Sequence, residues 1–267
     1  MKYFHLVLLL CLFLLSCNND PVAPPVTINT SYTKINSVER GNIKFDIYSK
    51  SGNSMLYGYN KIGFKVFVSG VEMNSGYVKF FPKMYHAPGS PMHSSPAPEK
   101  YFYNSSEGIF TGYICFTMVS DSSSFWYGFY NYNETSRIDS VLFTVNSYSS
   151  NQVLVWDDIV SQHTYVLSLI DPMTPKVGLN DFMCILHRTN DDIHYTEVDS
   201  ANYSIRTWMP AMGHGSSNNV NPVWQGGAIY RGKANLTMAG LWWVYNIIEY
   251  NGIQITGSDS KFIFQVQ

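Results

Sequence analysis

Apolar and polar positions alternate in short runs along most of this chain, and clusters of Gly, Asn and Ser separate the runs. A period of two is typical of a half-buried β-strand, because successive side chains of a strand point to opposite faces. No long stretch after residue 17 shows the 3.6-residue period of an amphipathic helix. The pattern predicts strands at 63–68, 76–81, 110–118 and 126–132, then at 165–170, 182–187, 204–208, 230–238 and 241–249.

The spacing of these strands, with no helical pattern between them, favours antiparallel sandwiches. Composition agrees, because aromatic residues make up 16% of the chain and charged residues only 13%, and aromatic side chains suit pleated surfaces. We therefore predict an all-β protein with two tandem immunoglobulin-like antiparallel β-sandwich domains. The formal net charge of −2 provides no basic field, so nucleic acid is not an expected partner.

One apolar run, at 6–15 behind Lys2, stands apart from the strand pattern. It is too short to span a bilayer, which takes about 20 apolar residues, and it fits the apolar core of a secretory signal. The segment ends in Leu14-Leu15-Ser16-Cys17, which resembles a bacterial lipobox. The resemblance implies a lipoprotein signal peptide at 1–16 and lipidation at Cys17, whereas an ordinary cleaved signal with a chance Cys is the alternative.

Residues 17–30 contain three prolines and few large apolar side chains, a composition that cannot build a core. We predict that this segment is a lipidated tether, and that the membrane is a partner through the lipid. The chain is then expected to be extracytoplasmic and anchored to the cell envelope, on the periplasmic side or the cell surface. Asn18 follows Cys17, and by analogy with enteric bacteria the lack of Asp there permits sorting to an outer membrane.

Four cysteines occur in the chain, and Cys11 is lost with the predicted signal peptide. With Cys17 assigned to lipid, Cys115 and Cys184 remain, each within an apolar run that is predicted to be a strand. Two buried free thiols are the first interpretation, since free Cys is among the most buried residue types. A disulfide between them is the alternative in an oxidising compartment.

An internal repeat divides the rest of the chain. Residues 80–86 and 208–214 share the pattern aromatic, large apolar, Pro, X, Met, X, His, and the second copy carries extra residues around 190–192. We infer two homologous β-sandwich domains, at 31–147 and 148–267. The other matched landmarks are 61–64 with 176–179, 108–118 with 228–238, and the Trp-centred runs 125–127 with 241–243.

Short motifs give the second copy a family resemblance. They are Pro175-Lys176-Val177-Gly178, Met209-Pro210-Ala211-Met212-Gly213-His214, Ile229-Tyr230-Arg231-Gly232 and Thr237-Met238-Ala239-Gly240-Leu241-Trp242-Trp243-Val244. The copy closely resembles YtkA-like domains, small extracytoplasmic β-sandwiches that occur in lipoproteins and are fused to copper-efflux components. The first copy is degenerate, with Phe81 in place of the first motif Met and no Gly after Met118. The resemblance implies the sandwich fold, an extracytoplasmic location and copper handling, with copper-efflux or other envelope proteins as partners.

Both copies carry a Met-X-His step, and alternate positions of a strand face the same side. Met84 and His86 would then project together, as would Met212 and His214. Thioether and imidazole ligands suit Cu(I), which makes copper the expected cofactor, whereas Zn²⁺ sites prefer Cys, His and carboxylates. The candidate metal ligands are Met84, His86, Met92 and His93 in the first copy and Met209, Met212, His214 and Met238 in the second.

Other chemistry is sparse. The chain has no nucleophile elbow, HEXXH motif or phosphate-binding loop, and no carboxylates paired for acid–base catalysis, so we do not expect an enzyme. Membrane-anchored copper handling is therefore the leading hypothesis. The alternative is a non-enzymatic envelope module that binds a partner protein or glycan through exposed Tyr and Trp, in which the Met and His residues are structural. A purely structural envelope protein is a third hypothesis.

Overall fold

The computed structural model describes residues 32–86, 92–148 and 152–267. The predicted signal peptide at 1–16, the lipidation site Cys17 and the tether at 17–30 lie outside the described residues and stay predictions. In the part of the chain that the structure covers, no helix has the length and apolar character needed to cross a membrane.

The described residues form two sets of β-strands, which we call the first half and the second half. The strands of the first half are β1 (Thr33–Arg40), β2 (Ile43–Ser49), β3 (Met55–Leu56), β4 (Gly58–Val68), β5 (Val71–Met73), β6 (Tyr77–Tyr85), β7 (Tyr101–Asn104), β8 (Ile109–Phe116), β9 (Phe125–Tyr132), β10 (Ser136–Phe143) and β11 (Val145–Asn146). Those of the second half are β12 (Val153–Asp158), β13 (His163–Asp171), β14 (Gly178–Thr189), β15 (Thr196–Glu197), β16 (Asn202–Trp208), β17 (Val220–Trp224), β18 (Ile229–Leu236), β19 (Gly240–Tyr250), β20 (Ile253–Gln254) and β21 (Lys261–Val266).

The second half is a sandwich of two antiparallel sheets. One sheet has the order β12-β13-β14-β18-β17, and in the other β19 lies between β16 and β21. If β13 is taken as strand A, the sheets are A-B-E-D and C-F-G, the strand order of an immunoglobulin-like domain, with β12 added at one edge. Phe182 of the first sheet and Trp242 and Phe262 of the second are fully buried between them.

The first half repeats this order strand for strand. Its strands β2-β4-β8-β7 correspond to β13-β14-β18-β17, and β6-β9-β10 correspond to β16-β19-β21. In the first half β6 also pairs with β7, which joins its two sheets into one. The predicted all-β, immunoglobulin-like sandwich fold is therefore confirmed, and every predicted strand overlaps an observed one.

An asparagine that makes the same hydrogen bonds in both halves shows which residues of the two halves are equivalent. The Asn60 side chain accepts from the N–H of Leu56 (2.9 Å) and donates to the carbonyls of Leu56 and Gly58. Asn180 makes the same three hydrogen bonds to Lys176 and Gly178. Gly178 is therefore equivalent to Gly58, and the predicted match of 61–64 with 176–179 is wrong. Both segments contain Lys, a β-branched apolar residue, Gly and a large apolar residue in that order. The sequence therefore allowed them to be aligned out of register.

Each half has its own hydrophobic core, and Cys115 and Cys184 are free and buried. Cys184 lies in the second core, whereas Cys115 lies with Ile185 and Ala228 in a small cluster between the halves. Burial raises the pKa of the Cys115 thiol to about 12 and that of Cys184 further, so neither forms a reactive thiolate near neutral pH. The interpretation as two buried free thiols is confirmed for the described structure.

Polar contacts also join the halves. The Tyr113 hydroxyl lies 2.9 Å from Nε2 of His187 and 3.0 Å from a carboxylate oxygen of Glu197. The backbone N–H of Ser94 donates to the carbonyl of Asp192 (2.8 Å), and the His194 ring stacks on Phe81 at 6.2 Å. Asp192 lies in the segment that the sequence marked as extra in the second copy. The insertion therefore lies against the first half.

Candidate functional site

Met84 is a core residue of the first half. It lies on the buried face of β6 opposite Trp126 of β9, and its side chain is fully buried. Its backbone N–H donates to the carbonyl of His93 (2.8 Å), which forms an isolated antiparallel bridge with it. His86, which the sequence pairs with Met84, comes just after the end of β6.

His93 and His86 lie close together at the surface end of this core. Their ring centroids are 5.5 Å apart, and the His93 ring packs edge-on against Trp126 at 5.4 Å. Nδ1 of His93 lies 3.0 Å from the carbonyl of Ser94, so Nδ1 carries the proton and Nε2 carries the lone pair. That Nε2 is buried and has no hydrogen-bond partner among the described residues, and burial lowers the pKa of His93. Nδ1 of His86 lies 3.0 Å from the Ser124 hydroxyl, and Met92 is 44% exposed.

The second half contains the same local structure without the second histidine. The N–H of Met209 donates to the carbonyl of His214 (2.8 Å), Nδ1 of His214 lies 2.9 Å from the carbonyl of Gly215, and the ring packs edge-on against Trp242 at 6.1 Å. Met209 is buried in the core and Met238 is partly buried against it. Met212 lies in the turn at 210–213 and is 59% exposed.

These contacts show which residues of the two halves are equivalent. Met84 corresponds to Met209 and His93 to His214. Trp126 corresponds to Trp242, since their indole N–H groups donate to the carbonyls of Met118 (3.1 Å) and Met238 (2.8 Å). The Met-X-His match seen in the sequence is therefore out of register, because the counterpart of Met84 is Met209 rather than Met212 and the counterpart of His214 is His93 rather than His86. The prediction that Met212 and His214 project from one strand face is wrong, because residues 210–213 form a turn rather than a strand.

The arrangement separates the eight predicted ligands into core and surface groups. Met84 and Met209 fill the cores, and Met92 and Met212 are exposed. Among the described residues, no group of three or more His, Cys, Asp or Glu side chains is placed to hold a metal ion. The imidazoles of His86 and His93 are the one pair of predicted ligands whose rings the structure records in contact.

A different surface stands out on the second half, on the outer face of the sheet formed by β16, β19 and β21. Alternate residues of β19 point outward, and four of them, from Trp243 to Glu249, are paired across the sheet with outward residues of β16. We call this surface the strip. Its cross-strand pairs are Trp208 with Trp243, Arg206 with Tyr245, Ser204 with Ile247 and Asn202 with Glu249.

Cations lie over the aromatic rings of the strip. The Arg206 guanidinium is 4.4 Å from the ring centroid of Tyr245 and 6.0 Å from that of Trp208. The Lys261 ammonium, which also pairs with Asp259, is 4.6 Å from the ring centroid of Trp243. Stacking of this kind holds long side chains in place, so the strip presents ordered charge and apolar surface together.

The first half has an aromatic face at the equivalent position. Lys83 of β6 lies over Phe81 (5.3 Å) and Phe129 (5.7 Å), and the rings of Tyr85 and Tyr127 meet edge-on at 5.3 Å. His194 of the second half stacks on Phe81. An insertion therefore contacts this face, whereas the strip of the second half has no such contact from the first half among the described residues.

At one end, the strip opens into a groove of about 610 Å³ between β16 and the edge strand β17, which we call the edge groove. Val223 is 62% exposed, and Trp224 and Ile247 are each 40% exposed at its rim. In the first half the corresponding gap is closed, because β6 and β7 are hydrogen-bonded there. The groove is lined by Ser200, Ala201, Asn202, Tyr203, Ser204, Asn221, Pro222, Val223, Trp224, Ile247, Glu249 and Gln254.

Comparison with known proteins gives no family assignment. No family profile and no curated protein matches the chain. Among solved structures, it is similar to the Escherichia coli adhesin FdeC (10% identity, TM-score 0.26, covering 87% of this chain and 66% of FdeC). It is similar to invasin, a bacterial integrin-binding protein (11%, 0.27, 84% and 39%), and to a conserved domain protein from Bacillus anthracis (10%, 0.30, 88% and 90%). The chain thus spans less than two thirds of invasin, and TM-scores of 0.30 or less support no inference about function.

The sequence pattern indicates the Met and His residues but not the strip or the edge groove. One signal was present, since residues 241–249 alternate buried and outward positions and the outward ones are large. Arg206 and Trp224 gave no such signal. Their importance depends on which strands become neighbours, and that is a property of the fold.

Proposed function

We propose that this protein is an exported, lipid-anchored and non-enzymatic binding module of the cell envelope, which holds a partner on the strip of its second half. One observation carries the proposal, namely Arg206 stacked between Tyr245 and Trp208 on a solvent-facing sheet surface. Trp, Tyr and Arg dominate the binding energy of known interfaces, because they combine large apolar area with directed polar groups. These rings lie outside the core and so are not required by its packing.

The contacts of the predicted copper ligands also support this function over copper handling in the second half. Met209 fills the core, and the edge of the His214 ring packs on Trp242. Nδ1 of His214 bonds a backbone carbonyl, which fixes the ring. Each of these contacts is explained by the packing of a loop onto a sandwich, as the structural alternative expects.

Trp243→Ala is expected to weaken partner binding by about tenfold or more, because it removes the ring on which Lys261 rests. We would titrate the labelled full chain, carrying Cys17→Ala so that lipid does not contribute, against isolated cell envelopes. Tyr127→Ala is the matched control, since it occupies the equivalent position of the first half. Saturable binding that Trp243→Ala leaves unchanged would contradict the proposal.

A second candidate function is soft-metal binding at the first half. The buried and unpartnered Nε2 of His93, with the His86 ring 5.5 Å away, favours it. An imidazole nitrogen with a free lone pair is a ligand for Cu(I), and its other nitrogen is fixed by a backbone carbonyl, as metal-binding histidines commonly are. His86 and His93 would hold the ion, and Met92 is the exposed thioether nearest in sequence.

Anaerobic calorimetric titration of the full chain with Cu(I) tests this candidate. His93→Gln is expected to abolish the binding heat, because it removes the free imidazole nitrogen. His214→Gln is the matched control and is expected to bind as the unmodified chain does, since His214 has the same backbone contacts but no histidine ring in contact with it among the described residues. Equal loss in both variants, or no binding heat in the unmodified chain, would contradict the candidate.

A further inference from the structure

We infer that the edge groove binds a neutral saccharide chain, and this inference rests on the proposed function because it names the ligand of that binding surface. The groove continues from the strip, since Ser204, Ile247, Asn202 and Glu249 belong to both. Its volume of about 610 Å³ is in the range of about 300–1,000 Å³ that is usual for ligand sites.

The polar groups of the groove match sugar hydroxyls. Asn202, Asn221 and Gln254 supply amides, Ser200 and Ser204 supply hydroxyls, and Glu249 supplies a carboxylate. An amide or a hydroxyl both donates and accepts hydrogen bonds, as a sugar hydroxyl does. The lining contains no Lys or Arg, so an anionic ligand would meet Glu249 without a compensating cation.

The indole of Trp224 is held so that it offers its ring rather than its N–H. Its Nε1 donates to the carbonyl of Gly227 (2.5 Å), within the turn that follows β17. The ring is 40% exposed at the groove rim. The π-face of an aromatic ring carries partial negative charge and attracts weakly positive C–H groups, and the axial C–H face of a pyranose presents such groups.

The two strand edges that border the groove are unsuited to pairing with a peptide strand. Asn221 caps one edge, since its side-chain oxygen accepts from the N–H of Ile205 (3.2 Å). On the other edge, Gln225 donates to the carbonyls of Val223 (3.0 Å) and Trp224 (3.3 Å), and Pro222 has no N–H. A peptide added as a strand needs free ladder groups. Recognition here must therefore use side chains, which favours a saccharide over an extended peptide.

The test is binding of the full chain, carrying Cys17→Ala, to an array of neutral and anionic oligosaccharides, followed by calorimetry with the best neutral hexasaccharide. Neutral oligosaccharides are expected to bind, and Trp224→Ala is expected to weaken them by tenfold or more, whereas Trp224→Phe keeps most of the affinity because it keeps a ring. Phe102→Ala, on the equivalent edge strand of the first half and 60% exposed, is the matched control and is expected to have no effect.

Absence of neutral oligosaccharide binding, preference for anionic chains, or affinity that is unchanged in Trp224→Ala would each overturn the inference. Circular dichroism of Trp224→Ala shows whether the variant is folded, and if it is not, Asn221→Ala and Gln254→Ala provide the same comparison from the polar side. The envelope titration with Trp243→Ala is run in parallel. Envelope binding without saccharide binding overturns only the ligand class, whereas loss of both overturns the proposed function as well.

Discussion

Trp242→Ala is expected to destabilise the second half by about 3–5 kcal/mol. The side chain is fully buried between the sheets, so its removal leaves a large cavity in a close-packed core. Its indole N–H also donates to the carbonyl of Met238 (2.8 Å), which would lose its partner. The edge of the His214 ring would lose the surface on which it packs.

Chemical unfolding in urea, followed by far-UV circular dichroism, measures this effect. Met212→Ala is the control in the same half, because Met212 is 59% exposed and its loss is expected to change the free energy of unfolding by no more than about 0.5 kcal/mol. The comparison separates a buried Trp that packs on His214 from an exposed predicted ligand. A Met212→Ala variant as unstable as Trp242→Ala would show that the turn, rather than the buried Trp, organises this region.

Much of the fold could be predicted from the chain because burial imposes a simple alternation. In β19, buried Trp242, Val244 and Ile248 alternate with outward residues, and that period of two is visible in the sequence. Several strands, β12 and β17 among them, were not predicted from the alternation. The exposed positions of these edge strands include the apolar Val155 and Val223, and β17 contains Pro222, so neither shows the clean alternation of a half-buried strand.

The register of the repeat could not be read correctly for a related reason. The true counterpart of His214 is His93, which lies well beyond the Met84-X-His86 step in the sequence. What relates the pairs is a hydrogen bond from a Met N–H to the carbonyl of a His that follows it at a different distance along the chain, Met84 to His93 in one half and Met209 to His214 in the other. Equal spacing in the sequence points to His86. The two halves share the contact between Met and His, but not the number of residues that separates them.

The strip and the groove show the same limit at the level of function. Arg206 faces Tyr245 because β16 pairs with β19, and the edge groove is open because β16 and β17 do not pair. Neither statement follows from local sequence. The composition, with 16% aromatic residues, indicated β structure but not where the rings lie. The strip shows where some of these rings lie.

His187→Gln is expected to make the protein less sensitive to acid. His187 is fully buried between the halves, and burial lowers its pKa to about 3, against about 6.5 for an ordinary histidine. As the pH falls below about 6.5, the unfolded chain takes up a proton that the folded chain does not. The free energy of unfolding then falls by about 1.4 kcal/mol per pH unit from this residue alone, down to about pH 3.

The measurement is the free energy of unfolding of both proteins at several pH values between 4 and 7. His187 adds about 3 kcal/mol to the loss of stability by pH 4, and this part should vanish in His187→Gln. Neighbouring lysines lower the pKa of carboxylates such as Asp46 and Glu107, so these groups also reduce the free energy of unfolding as the pH falls. Their contribution is the same in both proteins. Tyr113→Phe removes the hydroxyl 2.9 Å from Nε2 yet leaves the ring buried, so it should keep the acid slope. If His187→Gln retained that slope instead, the ring would have access to water in the folded protein, and the contact between the halves would be looser than these hydrogen bonds indicate.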